Sequence, residues 1–276
     1  MDGNTELQET CPERSRRIRN DVFKKSLVKQ IYMEKVSIII ACYNEEKSIP
    51  ELINQLDKLP AITQAADYSY EFVFVDDGSS DKTKALLQDK YKNHSNTKIV
   101  SHEHNSGYGA AIRTGMRVAT GNLVLCYDGD CTTPVEDIPK MLGLMTPDVD
   151  IVSGSAFHPE GNAGKVLLHR LILSKTLVFI YKTILGRVAA KITSFTLSFR
   201  IYRKNILENI HFKSDNFLAS SELLILCLLK GCRVIEYPTT LSERKYGKSK
   251  MKVLPTVFQH VKFIFKIIFR RKELLL

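Results

Sequence analysis

The stretch Val36-Ser37-Ile38-Ile39-Ile40-Ala41-Cys42-Tyr43-Asn44-Glu45 is a β-branched apolar run that stops at a polar turn. A run of this length and composition reads as a buried strand of a parallel sheet. A helical pattern follows from Ile49 to Leu59, and then the succession repeats. Glu71–Val75 is a second strand, closed by Asp76-Asp77-Gly78-Ser79; Ser80 or Asp81 can cap a helix that runs to about Tyr91. Lys98–Ser101 is a third, and the loop Asn105-Ser106-Gly107-Tyr108-Gly109 leads from it into a helix over Ala110–Ala119. Asn122–Tyr127 is a fourth, ending at Asp128-Gly129-Asp130, and a fifth lies at Asp150–Gly154. Strands separated by helices of roughly 10–15 residues predict an α/β fold with a mostly parallel, doubly wound sheet.

After Gly154 the rhythm changes. Residues 165–191 read as one or two amphipathic helices, Phe199–Tyr202 and Cys232–Thr239 as strands, and Ser220–Lys230 as a helix. Residues 252–271 form a basic amphipathic helix. The expected division is a polar extension over 1–34, one α/β domain over 35–250, and a C-terminal helix over 251–276.

The chain has 276 residues, 44% of them apolar, enough to fill a core. Its 40 Lys+Arg against 30 Asp+Glu leave a formal charge of +10. Residues 35–243 hold 23 of each sign, whereas Arg244–Leu276 hold 10 basic residues and one acidic. The excess is therefore one C-terminal patch on a balanced body. The six cysteines form no C-x-x-C pair and several sit inside apolar runs, which predicts free thiols in a reducing compartment. No apolar signal segment opens the sequence, and charges interrupt every long apolar stretch below the ~20 residues that span a bilayer.

The chemistry lies in the acids that close consecutive strands. In open α/β sheets, ligands bind outside the carboxyl ends of the strands, where Glu45, Asp76, Asp77, Asp128 and Asp130 all fall. Acids converging there repel one another unless a cation or hydrogen-bond donors neutralise them. Asp128-x-Asp130 sets two hard oxygen ligands on one turn, which suits Mg²⁺ or Mn²⁺; alone, it is a weak signal and reads more readily as a polar turn. Asp76 is placed to meet a base or ribose, and the helix near Ala110 offers its N-terminus to phosphate. Gly107 and Gly109 would let the backbone approach that ligand.

Taken together, Tyr43-Asn44-Glu45, Val75-Asp76-Asp77-Gly78-Ser79-x-Asp81-x-Thr83, Asn105-x-Gly107-x-Gly109 and Asp128-x-Asp130 resemble glycosyltransferase family 2. Within that family the chain looks most like the polyprenyl-phosphate glycosyltransferases, the dolichyl-phosphate mannosyltransferases among them. Arg170, the segment Thr196-Leu197-Ser198-Phe199-Arg200-x-Tyr202-Arg203, Glu222 and Arg244-x-Tyr246-Gly247-Lys248-Ser249-Lys250 carry this closer likeness.

The resemblance implies a GT-A (nucleotide-diphospho-sugar transferase) fold, a nucleotide-sugar donor, Mg²⁺ or Mn²⁺, and an inverting mechanism. Carried over by position, Tyr43, Glu45, Asp76, Asp77, Gly107, Gly109 and Asp128 would hold the donor, and Asp128 and Asp130 the metal. Arg170, Ser198, Arg200, Arg244 and Lys250 would meet the phosphate of a polyprenyl acceptor. Asp130, Arg170, Arg200 and Glu222 form the expected catalytic set. The chain departs from the family where Ala41-Cys42 precedes Tyr43 in place of Pro-x, where Thr132 replaces a Gln, and where Ser198 replaces a Gly.

A lipid phosphate can attack without a base, because its second pKa of about 6 leaves the oxyanion in place at neutral pH. The alternative, a hydroxyl acceptor on a glycan or lipid, needs a carboxylate base, for which Glu222 is the candidate. In the last helix Gln259, Lys262, Lys266 and Arg270 recur at spacings of three and four beside Val257, Phe258, Val261, Ile264, Phe265, Ile268 and Phe269. This pattern predicts peripheral association with the cytoplasmic face of a membrane. No nucleic-acid partner is expected, since the body is neutral and its ligand edge acidic.

Overall fold

The structure, a computed structural model, describes residues 34–62, 68–164, 166–247 and 249–274. The expected N-terminal extension lies, apart from Glu34, outside the described residues. Seven strands form one sheet: β1 (Glu34–Cys42), β2 (Tyr68–Asp76), β3 (Thr97–Ser101), β4 (Leu123–Asp128), β5 (Ile151–Ser155), β6 (Arg200–Arg203) and β7 (Val234–Pro238). Their order is β3-β2-β1-β4-β6-β5-β7, with β6 antiparallel to both neighbours and every other pairing parallel. The mostly parallel, doubly wound sheet expected from the alternation is the one observed.

Among the described residues the helices longer than one turn are α1 (Ile49–Asp57), α2 (Thr83–Tyr91), α3 (Tyr108–Val118), α4 (Asp137–Leu142), α5 (Leu168–Leu185), α6 (Leu218–Leu229) and α7 (Val253–Phe269). Residues 165–191, read as one or two helices, resolve into α5 and the short 3₁₀ turn Gly186–Ala189. The expected cap at Ser80 or Asp81 is not formed: Lys82 is the N-cap residue and makes no side-chain cap bond, while Asp81 Oδ1 accepts the Thr83 amide at 2.9 Å in the turn that leads into α2.

Period-2 alternation in β1 explains the layering. Val36, Ile38 and Ile40 join the core beneath α1, α2 and α4, while Ile39 joins the opposite core with residues of α3, α5 and α6. Ile38, Ile39 and Ile40 are all 0% exposed, and each contributes roughly 1.5–3 kcal/mol by burial. Helix α7 docks on the second core through Phe263 and Ile267, and His260 meets the Tyr181 hydroxyl of α5 at 2.7 Å through Nδ1. No helix among the described residues is long and apolar enough to cross a membrane.

Chain order reverses between β1 and β4. That switch point opens a crevice at the carboxyl edge of the sheet, the usual ligand site of open α/β folds.

Candidate active site

Register brings the acids together. Cys42 pairs with Asp76 and Ala41 with Asp128, so β1, β2 and β4 finish level and their polar turns meet. Asn44 takes a left-handed conformation (φ 52°), donates its amide to Ser79 Oγ at 2.9 Å and accepts the Ser80 amide at 2.8 Å. The Glu45 amide donates to Thr83 Oγ1 at 2.8 Å. The first two turns are thereby tied into one edge.

On that edge a cavity of about 570 Å³ is lined by Tyr43, Glu45, Asp77, Asp128 and Asp130 on the strand side. Its opposite wall is Lys252, Pro255, Thr256 and Gln259 from the start of α7. A second cavity of about 630 Å³ lies between α5 and α7, lined by apolar residues including Leu173, Leu177, Leu197 and Val257, with Arg170 among them. Asp130, Thr196, Arg244, Ser249 and Thr256 line both and mark the junction.

Asp128 closes β4 and Asp130 lies two residues beyond it. Ser198 Oγ lies 2.7 and 2.6 Å from the two oxygens of Asp128. Burial and then the Asp130 charge push the Asp128 carboxyl up to about 6, against the pull of Ser198. Cys131, at φ 57°, turns the chain so that Asp130 Oδ1 accepts both the amide and the hydroxyl of Thr132 (3.1 and 2.8 Å). Thr132 thus orients Asp130. Two hard carboxylates facing an aqueous cavity fit one divalent cation, with water and ligand phosphates completing its shell. Among the described residues no third His, Cys, Asp or Glu joins them.

Glu45 accepts from Ser48 Oγ at 2.5 Å and from Arg244. Arg244 Nε also lies 3.5 Å from Asp130 Oδ2, so one guanidinium spans two of the expected acids. Lys250, expected on the acceptor side, lines the first cavity instead, its Nζ 6.0 Å from the Tyr43 ring centroid.

Several expected site residues are placed elsewhere. Arg200 is 0% exposed and lines neither cavity. Its Nε donates to Ser153 Oγ at 2.9 Å, and its terminal nitrogens to the carbonyls of Ser220 (2.8 Å), Phe195 (2.9 Å) and Ser194 (3.3 Å). A guanidinium satisfied in this way ties β5, β6 and α6 together and has no reach to an acceptor phosphate. Glu222 is also buried, accepting the amides of Lys213 and Ser214 at 3.2 and 2.9 Å. It holds a loop and lines neither cavity. Ser198, expected at the acceptor phosphate, is committed to Asp128.

The glycine loop is likewise an internal joint. Asp77 accepts the Ser106 and Gly107 amides at 2.9 and 2.8 Å and meets His102 Nδ1 at 2.7 Å. The Gly109 amide donates to the Asp215 carbonyl at 2.8 Å. A Cβ at Gly107 or Gly109 would collide with the carbonyl oxygens of Asp215 and Ser214, respectively. These glycines admit the 214–215 loop, and part of the expected phosphate cradle is filled by protein. Asp76 is 2% exposed, accepts the Ser79 amide at 3.2 Å and does not line the cavity, whereas Asp77 does.

Arg170 lines the second cavity, its Nε buried and without a hydrogen-bond partner among the described residues. Sequence reasoning missed the α7 wall of the first cavity. Gln259 lies at helical spacing with Lys262 and Lys266, and the periodicity that grouped it with them carries no sign of which neighbours cover it.

An open, mostly parallel sheet with a nucleotide-sized acidic crevice at its switch point defines a GT-A type α/β protein. The description of Glycosyl transferase family 2 matches residues 37–211, and the chain belongs to that family. It is 28% identical over 235 residues to a dolichol-phosphate mannosyltransferase of Pyrococcus furiosus, covering 84% of this chain and 63% of that one. It is 29% identical over 228 residues to an undecaprenyl-phosphate 4-deoxy-4-formamido-L-arabinose transferase of Sodalis glossinidius, covering 82% and 65%. The chain thus spans less than two thirds of the length of either relative.

Among solved structures, glucosyl-3-phosphoglycerate synthase from Mycobacterium tuberculosis with Mn²⁺, UDP and glucosyl-3-phosphoglycerate superposes with a TM-score of 0.62 at 14% identity, covering 88% of this chain and 81% of that one. A mannosyltransferase from Pyrobaculum calidifontis with GDP-Man and Mn²⁺ gives 0.59 at 20%, covering 87% and 66%. Both likenesses bear on the fold.

Proposed function

We propose that the protein transfers a sugar, with inversion, from a nucleotide-sugar donor to a polyprenyl phosphate at a membrane surface. The junction of the two cavities is the observation that carries this reading: an acidic crevice meets an apolar one at Asp130 and Arg244. Names of the two curated relatives, both transferases of a sugar on a polyprenyl phosphate, support the same pairing.

In this reading Tyr43, Glu45 and Asp77 bind the donor, and Asp128 and Asp130 hold Mg²⁺ or Mn²⁺. A cation held there would supply neutralisation of the charge on the leaving diphosphate. Arg170 orients the acceptor phosphate, a task suited to a guanidinium fork. A phosphate oxygen attacks the anomeric carbon, the bond to the diphosphate breaks, and its electron pair leaves with the diphosphate. One displacement inverts the configuration. Arg244 exchanges its partners Glu45 and Asp130 for phosphate oxygens as donor enters. The apolar cavity between α5 and α7 excludes water and takes the first isoprene units.

Charge and exposure support peripheral attachment to the cytoplasmic leaflet. Leu168, Ile172 and Phe179 on α5 and Leu254, Phe258 and Phe269 on α7 are 55–82% exposed large apolar residues, with Lys262, Lys266 and Arg270 beside them. Such a face lies in an interface. A hydroxyl acceptor is less well served, because Glu222 is spent on backbone amides.

The test is a panel of nucleotide sugars offered with polyprenyl phosphate in vesicles and Mn²⁺ or Mg²⁺. A lipid-linked sugar from one donor is expected. Folded protein yielding none from any donor overturns the reading.

A further inference from the structure

Gln259 combines two features found together in no other uncharged residue of the crevice among the described residues. It lines the donor-side cavity from α7, opposite the strand-end acids, and its side-chain Oε1 is buried with no hydrogen-bond partner among the described residues. A buried acceptor left unpaired is costly, and folded proteins keep such atoms where a ligand supplies the missing donor. Its neighbours do not share this need: the Thr256 hydroxyl donates to the Lys252 carbonyl at 2.8 Å, and Ser198 is held by Asp128.

The chemistry of the partner follows from the atom. In this orientation of the amide the buried atom is the carbonyl oxygen, which accepts and cannot donate, so it gains nothing from a diphosphate or phosphate oxyanion. The group it takes must carry an O–H or N–H. In a crevice that receives a nucleotide sugar, neutral O–H and N–H donors sit on the base, the ribose and the transferred sugar; of these the sugar lies next to the acceptor junction, which Thr256, one turn before Gln259 on α7, also lines. Taking the glycosyltransfer reading above as its basis, we propose that the Gln259 amide reads a hydroxyl, or an amide N–H in its place, on the sugar being transferred. Gln259 is then the residue by which α7, the same helix whose outer face is apolar and exposed, senses the sugar.

The test uses the full chain with Gln259→Met, which keeps length and removes the polar atoms. Affinity for the free nucleoside diphosphate is measured alongside affinity and kcat/KM for the intact donor and for deoxy analogues of it. The expected result is a 10- to 100-fold loss in kcat/KM for the intact donor, nucleoside diphosphate binding within twofold of the parent, and one deoxy donor on which parent and variant perform alike. Thermal melting of the ligand-free variant should equal or exceed the parent's, since an unpaired buried oxygen has been removed.

Unchanged kcat/KM and donor preference in Gln259→Met would overturn the proposal, and so would equal losses for donor and free diphosphate. If the parent turns over no donor at all, it is the transferase reading that fails; the binding comparison still decides the role of Gln259.

Discussion

Ser198 Oγ sits between both carboxylate oxygens of Asp128, at 2.7 and 2.6 Å, although the two residues are 70 positions apart. One hydroxyl thereby sets the orientation of Asp128, the first of the two acids at the end of β4. It does so from the segment 196–200, which Arg200 pins from below through the carbonyls of Ser194 and Phe195. The division of labour inside this motif is positional: Ser198 serves the acid and Arg200 serves the scaffold.

Ser198→Ala should therefore weaken divalent-cation affinity about 10-fold, the usual loss when a partner that orients a ligand is removed. Titration with Mn²⁺ by electron paramagnetic resonance measures it directly. KM for the lipid phosphate should stay within about twofold of the parent. A rise confined to the lipid KM would return Ser198 to the acceptor.

The raised carboxyl of Asp128 has a consequence for pH. Its folded value is pushed to about 6 from an ordinary 3.8, so between those values the folded state holds a proton that the unfolded chain has released. From this group, stability of the metal-free protein falls as pH rises through that window and stays reduced above it. Asp128→Asn should accordingly raise the metal-free Tm by about 3 °C at pH 7.5. Because a cation must displace the proton, the Mn²⁺-induced rise in Tm of the parent should fade below pH 6 and be absent in Asp128→Asn. Differential scanning calorimetry across pH 4.5–8 follows both effects, and a metal-induced rise that persists at pH 5 would contradict them.

Arg200 and Arg170 should part company on mutation. Arg200→Met strips donors from three buried carbonyls and the Ser153 hydroxyl, a loss of about 3–5 kcal/mol that appears as lowered Tm and soluble yield. Arg170→Met should leave Tm within about 2 °C while raising KM for polyprenyl phosphate at least about 10-fold. Equal effects of the two changes on acceptor KM would refute the division.

The outer face of α7 predicts how the protein meets lipid. Lys262→Glu with Lys266→Glu should cut partitioning onto vesicles rich in phosphatidylserine by more than about 10-fold, as each basic residue near such a surface contributes about 1 kcal/mol. Added salt should weaken binding of the parent and scarcely alter that of the variant. Phe258→Ser with Phe269→Ser should lower binding to neutral vesicles as well, because exposed ring area drives that part. Sedimentation with vesicles separates the two contributions; a charge reversal without effect would count against the membrane face.

The strands and the acidic edge were legible from short segments. Val36–Ala41 and its successors are apolar over a strand's length and broken by turn residues, and the acids lie within four positions of a strand end. Roles assigned by motif position fared less evenly. Gly107 and Gly109 do mark a close approach, yet what approaches is the 214–215 loop, and Glu222 braces that same loop. Gln259 was hidden within a helical stripe of Lys262 and Lys266, since periodicity ranks faces of a helix without saying which face meets the crevice.

By itself the sequence determined the α/β alternation, the sheet's carboxyl-edge acids and the basic C-terminal helix. These depend on steric preferences and hydrophobic spacing within about ten residues, which the local chain carries whole. Tertiary structure alone decided that Arg200 is buried, that Ser198 serves Asp128, and that Arg244 spans Glu45 and Asp130. Glu45 and Arg244 are 199 residues apart, and a polar side chain takes whichever partner burial leaves nearest. That choice is made only when the sheet has closed and the helices have docked upon it.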